Sequence, residues 1–294
     1  MVLKNQKPPK RKMKKIRAKK KKKTRLTPLI EKGDIFQDIS GAKSTSLFLG
    51  KYTMREAGVV LRRRNFYKEA KKRGLWPIDF ELDSSQYPPL QRLVIYHKEK
   101  IPENVIVDLK IREGTFKAKR DFPLDITRSK FLVLEWLTLQ NPLLKFEEQR
   151  TPLPGQAHPG LSLGKKVVDL FSYVARLNKD QGLIAYPAYF HNALLFSRYF
   201  HFISPVKKAE VEEIRKTFKK ITFKELAWIV HYECLRDREG KAYQWEAEEM
   251  LLPVDKKLEG YFDSKQYKNE VKKARLKMRF SVDRDCVEKK MGTT

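Results

Sequence analysis

The sequence has few cysteines and no long hydrophobic run. Cys234 and Cys286 are the only cysteines among 294 residues, and no second pair is present to complete a zinc site or a disulfide framework. Both are therefore expected to be reduced thiols. No apolar stretch approaches the roughly 18 residues that a membrane-spanning helix needs, and the N-terminus has no apolar signal segment. These absences predict a soluble, cytoplasmic protein without a metal site.

Acidic residues are missing from the first 30 positions, where basic residues are concentrated. Fourteen lysines and arginines lie between Lys4 and Arg25, and the first acid is Glu31. This segment therefore supplies half of the formal net charge of +28. A block of like charges repels itself and has too little apolar surface to fold. Residues 1–27 are predicted to be a disordered arm that either improves solubility or binds nucleic acid non-specifically.

The first predicted helix begins after this arm and a polar connector. Thr53 and Glu56 have the spacing of a capping box, in which each side chain accepts a hydrogen bond from the other residue's backbone N–H. Gly74 is a favourable C-terminal cap, so the helix is expected to end there. Its basic face is either a solvated surface or a contact for an anionic partner. The residues of that face are Arg62, Arg63, Arg64, Lys68, Lys71, Lys72 and Arg73.

Apolar patterns predict a sheet in the middle of the chain. The expected strands cover residues 78–82, 93–96, 105–111 and 130–139. The last is apolar at nearly every position, as in a central strand covered on both faces, although a short buried helix has the same pattern. A helix over 165–177, a strand over 183–186 and a helix over 189–202 follow. This order predicts an α/β fold with a mixed, mostly antiparallel sheet flanked by helices.

The C-terminal part is expected to extend this sheet. A charged helix is predicted over 209–218. Segments 224–234 and 243–254 flank the turn at 237–240 and are predicted to form a hairpin. Charged helix and a short strand at 278–282 complete the pattern.

Glycines and prolines are concentrated in the loop before the helix at 165. A loop between a central strand and a helix directs free backbone N–H groups and the positive end of the helix dipole at one point. This arrangement suits a phosphate or pyrophosphate, and Lys165 and Lys166 would add charge at its rim. Glycines that serve only a turn would give the same sequence, so both interpretations remain open.

The same region resembles a known family. The long buried strand, the segment His-Pro-Gly-Leu-Ser-Leu-Gly-Lys at 158–165, the amphipathic helix, the strand at 183–186 and the helix containing 192–202 resemble the acyl-CoA-binding half of the GNAT N-acetyltransferase superfamily. The resemblance covers roughly residues 50–205 and is one of layout more than of identity. It implies a GNAT-like acyl-CoA-binding core at 28–205, with residues 206–294 completing the same domain.

The resemblance also implies a set of site residues. In the family, amides of the loop after the fourth strand hold the CoA pyrophosphate, the splayed fifth strand contacts pantetheine, and the last helix often supplies an asparagine and a tyrosine acid. Phe196 stands where the family commonly has that tyrosine, so Tyr199, or else Tyr189, would replace it. Glu135 would be the general base, unless it is an outward or salt-bridged strand residue. The implied cofactor-binding residues are His158, Gly160, Leu161, Ser162, Leu163, Gly164, Lys165 and Asn192.

Two functions are compatible with these patterns. The first is an N-acyltransferase that uses acetyl-CoA or a longer acyl-CoA and an unidentified acceptor. Such a reaction depends mainly on positioning two substrates and removing one proton from the amine. His158 and His191 are alternative proton carriers. The second function is a non-catalytic nucleic-acid or ribosome-associated protein, in which lysines bind and the fold is a scaffold.

Overall fold

The computed structural model describes residues 35–37, 43–115, 129–147 and 151–292. The predicted basic arm, residues 1–27, lies outside them. None of the described helices is both long enough and apolar enough to cross a membrane. In chain order the elements are β1 (Ile35–Gln37), β2 (Lys43–Thr45), α1 (Met54–Arg63), α2 (Phe66–Lys72), β3 (Ile78–Asp83), β4 (Gln91–His97), a short 3-10 helix (Pro102–Asn104), β5 (Val105–Thr115), β6 (Lys130–Leu139), α3 (Gly164–Asn178), β7 (Gly182–Ala185), α4 (Phe190–Phe196), β8 (His201–Phe202), α5 (Pro205–Thr217), α6 (Phe223–His231), β9 (Leu235–Arg236), β10 (Met250–Pro253), α7 (Lys256–Asp263), α8 (Lys265–Leu276), β11 (Ser281–Val282) and α9 (Arg284–Met291).

A seven-stranded sheet forms the centre, in the order β3-β4-β5-β6-β7-β10-β8. β6 and β7 are parallel, because the crossover through α3 returns the chain to the end of the sheet at which β6 began. The other neighbouring pairs in this sheet are antiparallel. The predicted α/β fold with a mostly antiparallel sheet flanked by helices is thus confirmed, as are the strands expected between 78 and 139.

Two hydrophobic clusters show that helices cover both faces of the sheet. Leu132 and Leu134 of β6 belong to a cluster that includes α1, α2 and α3. Phe131 and Val133 belong to a second cluster that includes α5, α7 and α8. Successive strand residues point to opposite faces, so the first half of β6 is buried on both sides, as its continuous apolar pattern predicted.

The helix predicted over 53–74 is two helices. The capping box of Thr53 and Glu56 is present and begins α1. Asn65 interrupts the helix in the left-handed conformation, with φ 62°, which asparagine tolerates better than most residues. The break lets α2 start a new direction with Phe66 buried. Gly74 also has a positive φ, 73°, as expected for a residue that follows a helix end.

Two C-terminal predictions are wrong in detail. Residues 223–231 form α6 instead of a hairpin strand, because the Thr222 side chain caps the helix and Leu226, Ala227, Ile229 and Val230 are buried at helical spacing. The turn at 237–240 is present, and the Asp237 N–H donates to the Lys241 carbonyl at 2.9 Å. The helix predicted over 189–202 ends at Phe196, since residues 201–202 pair with β10 as β8.

Cys234 and Cys286 form a disulfide, so the prediction of two reduced thiols is wrong. Their Cα atoms are 5.4 Å apart although 52 residues separate them in sequence. Pairing of β9 with β11 brings the two segments together, with Leu235 opposite Val282. Stable disulfides are rare in cytosolic proteins, so this bond does not support the predicted cytoplasmic location.

A partly buried polar cluster lies at the amino end of the β6–β7 pair. Glu113 accepts hydrogen bonds from Lys51 Nζ, at 2.5 and 2.6 Å, and from the Asn178 amide, which in turn accepts one from the Tyr52 hydroxyl. Asp180 is only 4% exposed, and neither of its carboxylate oxygens has a hydrogen-bond partner among the described residues. Burial and the nearby Glu113 raise the pKa of Asp180 to about 6.

Candidate functional site

β6 and β7 separate at their carboxyl ends. The two strands pair from Leu132–Leu183 to Leu134–Ala185, and then β7 ends while β6 continues. Over residues 135–138, no described strand pairs with β6 on the side of β7. This unpaired edge lies outside the carboxyl ends of two parallel strands, where α/β sheets usually bind their ligands, and we refer to it as the crevice.

The glycine- and proline-containing loop closes the far end of this crevice. The Leu161 N–H donates to the Leu139 carbonyl at 3.3 Å, and the Asn141 N–H donates to the Pro159 carbonyl at 2.8 Å. Gln140 and Gly160 form an antiparallel bridge between the same two segments. These contacts hold the loop, and hence the start of α3, beside the end of β6.

A β-bulge lies where β6 leaves β7. Lys110 of β5 is opposite Trp136, and the next residue, Ile111, is opposite Leu134. Glu135 is therefore the extra residue of β6. Bulges bend a strand locally and reorient its side chains, and they are frequent beside active sites. Trp136 is 43% exposed, which ends the continuous burial of the strand at this point.

Four ionisable residues, two within strands and two directly adjoining strands, meet near the bulge. Arg112 Nε donates to Glu135 Oε1 at 2.7 Å, so Glu135 is a salt-bridged strand residue, one of the alternatives open from sequence. Tyr186 follows β7 directly. Burial raises the pKa of Tyr186, and the charges of Glu249 and Glu135 raise it further, while Arg112 lowers it. Glu249 precedes β10 and is buried.

This cluster combines carboxylate acceptors with two donors that stay protonated, the Arg112 guanidinium and the Tyr186 phenol. The phenol of Tyr186 keeps its proton at neutral pH because its raised pKa disfavours the phenolate. Glu135 supplies a carboxylate that Arg112 orients. Such a group of carboxylates and a phenol can accept a proton on one side and donate one on the other. Sequence reasoning found Glu135 but missed the other three members; Tyr186 could have been found as the residue that ends the second parallel strand.

The N-terminus of α3 lacks a side-chain cap. Its N-cap residue is Leu163, and its first turn contains no acid. In α1, α5, α6, α7, α8 and α9, by contrast, a Ser, Thr or Asp side chain accepts from an N-terminal N–H. Lys166 is paired with Glu69 at 2.5 Å, whereas Lys165 has no ion pair within the described ranges. The exposed end of α3 therefore keeps the features of an anion site, namely free N–H groups and a positive dipole end.

Close packing explains only one of the three glycines in the preceding loop. Gly155 has φ 75°, and a Cβ there would lie 2.4 Å from the Tyr189 hydroxyl oxygen. Gly160 has ordinary space around it, and nothing lies within 4 Å of the Cβ position of Gly164. Trp228 anchors the loop by donating from Nε1 to the Pro152 carbonyl at 3.0 Å. The loop is thus fixed at its start, while no close contact surrounds Gly160 or Gly164, the first residue of α3.

The other predicted site residues are distributed around this crevice and the core. Segment 158–165 lies between the end of β6 and the start of α3. His158 Nδ1 is 3.2 Å from the Leu144 carbonyl oxygen. Asn192, in the first turn of α4, is half-buried. Tyr199 is half-buried and packs on the main core, and no hydrogen bond within the described residues joins it to Glu135.

His191 is placed as a core residue. It is buried and stacked on Tyr189, with ring centres 5.4 Å apart. Burial lowers its pKa to about 4, and the neighbouring His231 lowers it as well, so the imidazole is neutral at pH 7. Among the described residues, no group of three His, Cys, Asp or Glu side chains is arranged to hold a metal ion.

No protein-family model matches this chain, and a search of characterised proteins gives no significant match.

Proposed function

We propose that the protein is an acyl-CoA-dependent N-acyltransferase with a GNAT-like architecture. The observation that carries this proposal is the separation of β6 and β7 beside the uncapped N-terminus of α3. These elements correspond to the splayed strands and the pyrophosphate-binding helix that the resemblance implies. β10, which belongs to the segment 206–294, pairs with β7 and continues the sheet, as expected of a segment that completes such a domain.

The pyrophosphate of CoA would bind at the start of α3. Backbone N–H groups in the first turn, at 164–166, would donate to its oxygens, because no side chain occupies them as a cap. Lys165 would add a charge that no described carboxylate neutralises. Gly164 leaves open space at this point, so a phosphate can approach the backbone closely.

The pantetheine arm would lie in the crevice. Its amide groups need hydrogen-bond partners, and the unpaired edge of β6 at 135–138 offers backbone N–H and carbonyl groups. This course leads from α3 toward the bulge at Glu135 and the residue after β7, Tyr186. Asn192 stays a candidate for a further amide contact.

The reaction itself would occur near the bulge. The amine nitrogen of the acceptor attacks the thioester carbonyl, a C–N bond forms, and the C–S bond breaks to release the CoA thiolate. Glu135 is the candidate base that takes the ammonium proton before attack, and its ion pair with Arg112 would open for that step. Tyr186 is the candidate to give a proton to the thiolate, because it directly follows β7 at the end of the paired region, whereas Tyr199 packs on the main core.

Calorimetric titration of acetyl-CoA and octanoyl-CoA into the full chain tests the proposal. We expect micromolar binding of at least one donor, and at least tenfold weaker binding by Gly164→Glu, since the new carboxylate would repel the pyrophosphate. The substitution should not disturb the fold, because the site is open and an acid in the first turn favours a helix.

Gly260→Glu is the matched control. Gly260 is an exposed helical glycine in α7, which packs on the opposite face from α3, and its Cβ position is equally open. This variant has the same charge change and should bind like the wild type. Hydrogen exchange should show protection by the donor at 135–138 and 162–166. Absence of binding to both donors, or equal loss in the two variants, would contradict the proposal.

A further inference from the structure

A groove of about 840 Å³ lies between α2 and β3, at the edge of the sheet. We refer to it as the α2–β3 groove. Its cationic lining consists of Arg62, Lys68, Lys71 and Lys72. Its aromatic lining consists of Tyr67, Trp76 and Phe80. It is separate from the crevice between β6 and β7, because β4 and β5 lie between β3 and β6.

The cations of this groove are not neutralised. None of the four forms an ion pair with a carboxylate of the described residues, whereas the adjacent Arg73 is paired with Glu69 at 2.5 Å. Ile78 and Phe80 of β3 line the groove, so Asp79 and Glu81, which alternate with them, belong to the opposite face of the strand. The groove therefore has a positive lining without an acid.

Trp76 gives the groove a flat aromatic surface. Its side chain is 44% exposed, although burying an indole would stabilise the fold. Lys71 Nζ lies 4.3 Å from the centre of the Trp76 ring, and the Tyr67 ring meets the indole edge to face at 5.9 Å. The Lys71 ammonium thus covers one face of the indole, while the 44% exposure of Trp76 leaves the rest of the ring system accessible to a planar ligand.

We propose that the α2–β3 groove binds single-stranded nucleic acid, with a base stacked on Trp76 and the backbone phosphates contacting the four cations. Aromatic stacking platforms within a positively charged groove are the two features of sequence-tolerant single-strand sites. An acidic peptide would use the cations but leave the accessible indole without a partner. A duplex keeps its bases stacked inside, so it would also leave the indole unused.

A second groove of the same protein provides a matched control. The groove between α5 and α8, of about 550 Å³, is also rich in lysine and arginine. Its charge is partly neutralised, because Arg275 pairs with Glu213 at 3.1 Å and with Glu212 at 3.6 Å. Its aromatic residue, Tyr267, is fully buried. This groove is basic but offers no surface for stacking.

The test measures binding of a fluorescent twelve-nucleotide oligo(dT) to the full chain by anisotropy across a salt series. We expect Trp76→Ala to bind about tenfold more weakly, which is the loss of one stacked base. Lys71→Gln with Lys72→Gln should reduce the slope of log affinity against log salt by roughly 1.4, since each phosphate contact on a single strand contributes about 0.7. Lys268→Gln with Lys272→Gln, in the control groove, should change the slope by much less.

Photo-crosslinking to a thiouridine-containing oligonucleotide locates the contact independently of affinity, so strong binding elsewhere on the chain cannot hide it. We expect cross-links within residues 62–80. Unchanged affinity in Trp76→Ala together with no cross-link in this range would overturn the proposal. Loss of binding in the lysine variant alone, with Trp76→Ala unaffected, would also overturn it, because the phosphates would then be bound without a stacked base. Gly164→Glu should bind the oligonucleotide normally, which separates this site from the proposed coenzyme site.

Discussion

At the amino end of the β6–β7 pair, polar side chains form hydrogen bonds with one another, whereas at the carboxyl end, backbone groups are left without a strand or side-chain partner in the described part of the chain. We call these the closed end and the open end. Lys51, Tyr52, Glu113 and Asn178 satisfy one another at the closed end, and Gly182 lies against the next strand. At the open end, β6 loses its neighbour and α3 begins without a cap. The same two strands therefore provide stability at one end and free hydrogen-bonding groups at the other. Substitutions at the closed end should therefore change the free energy of unfolding more than substitutions at the open end do.

The largest change in the free energy of unfolding is expected for Asp180→Asn at the closed end. Its pKa in the folded protein is about 6, above the ordinary value for aspartate, so the folded state holds this proton more tightly than the unfolded state does. The contribution of Asp180 to stability is therefore fully present at low pH and is lost as pH rises from about 4 to about 6. The total loss is about 3 kcal/mol. Asp180→Asn has no such proton and should be more stable than the wild type at pH 7.

Urea unfolding of both proteins at several values between pH 4 and pH 7 checks this expectation. The difference in free energy of unfolding between variant and wild type should grow as pH rises and become constant above about pH 7. Asp169→Asn, on the exposed face of α3, is the control and should show no such trend. A difference for Asp180→Asn that does not vary with pH would contradict the assignment.

The next largest difference in the free energy of unfolding is expected between alanine substitutions of two glycines, one at each end. A Cβ on Gly182 would lie 2.6 Å from the Leu252 carbonyl oxygen in the paired strand, so Gly182→Ala forces the backbone apart. We expect the free energy of unfolding to fall by about 2 kcal/mol. Gly164→Ala has open space and helical geometry, so it should be neutral or stabilise by up to about 1 kcal/mol. Equal effects in the two variants, measured by thermal unfolding, would remove the distinction between the ends.

The smallest change in stability is expected for Glu135→Gln at the open end. The Arg112–Glu135 pair is about one-third exposed on both sides, and pairs of this kind contribute under about 1 kcal/mol. Glu113→Gln at the closed end should cost more, because Glu113 is less exposed and accepts from both Lys51 and Asn178. Chemical unfolding of the two variants in parallel tests the order. A larger loss of unfolding free energy in Glu135→Gln than in Glu113→Gln would mean that the open end also contributes substantially to stability.

Local patterns predicted the elements that hold the candidate site. The apolar run at 130–139, the helix after Gly164 and the strand near 183–186 depend on neighbours in sequence, so periodicity was enough to find them. The loop between them was also recognised from its glycines. The separation of β6 and β7 and the bulge at Glu135 depend on the lengths and registers of paired strands, which no local pattern specifies.

What sequence reasoning missed depends on distant pairing. Tyr186 and Glu249 approach each other because Met250 pairs with Ala185, across 64 intervening residues of chain that carry no shared pattern. The disulfide needs the two-residue strands β9 and β11, which are too short to have a period. Residues 201–202 follow a helical apolar pattern but join the sheet, because pairing with β10 outweighs the local preference.

The disulfide also determines how the protein would carry a mechanical load. Cys234 and Cys286 close a covalent ring that contains β10, the strand between β7 and β8. Tension applied across the chain would pass from one sulfur to the other, so the enclosed segment that contributes β10 would not be extended. The separation of 52 residues corresponds to roughly 170–190 Å of extended chain that would stay out of the load path. The bond therefore limits how far the chain can lengthen when force is applied on the two sides of the ring.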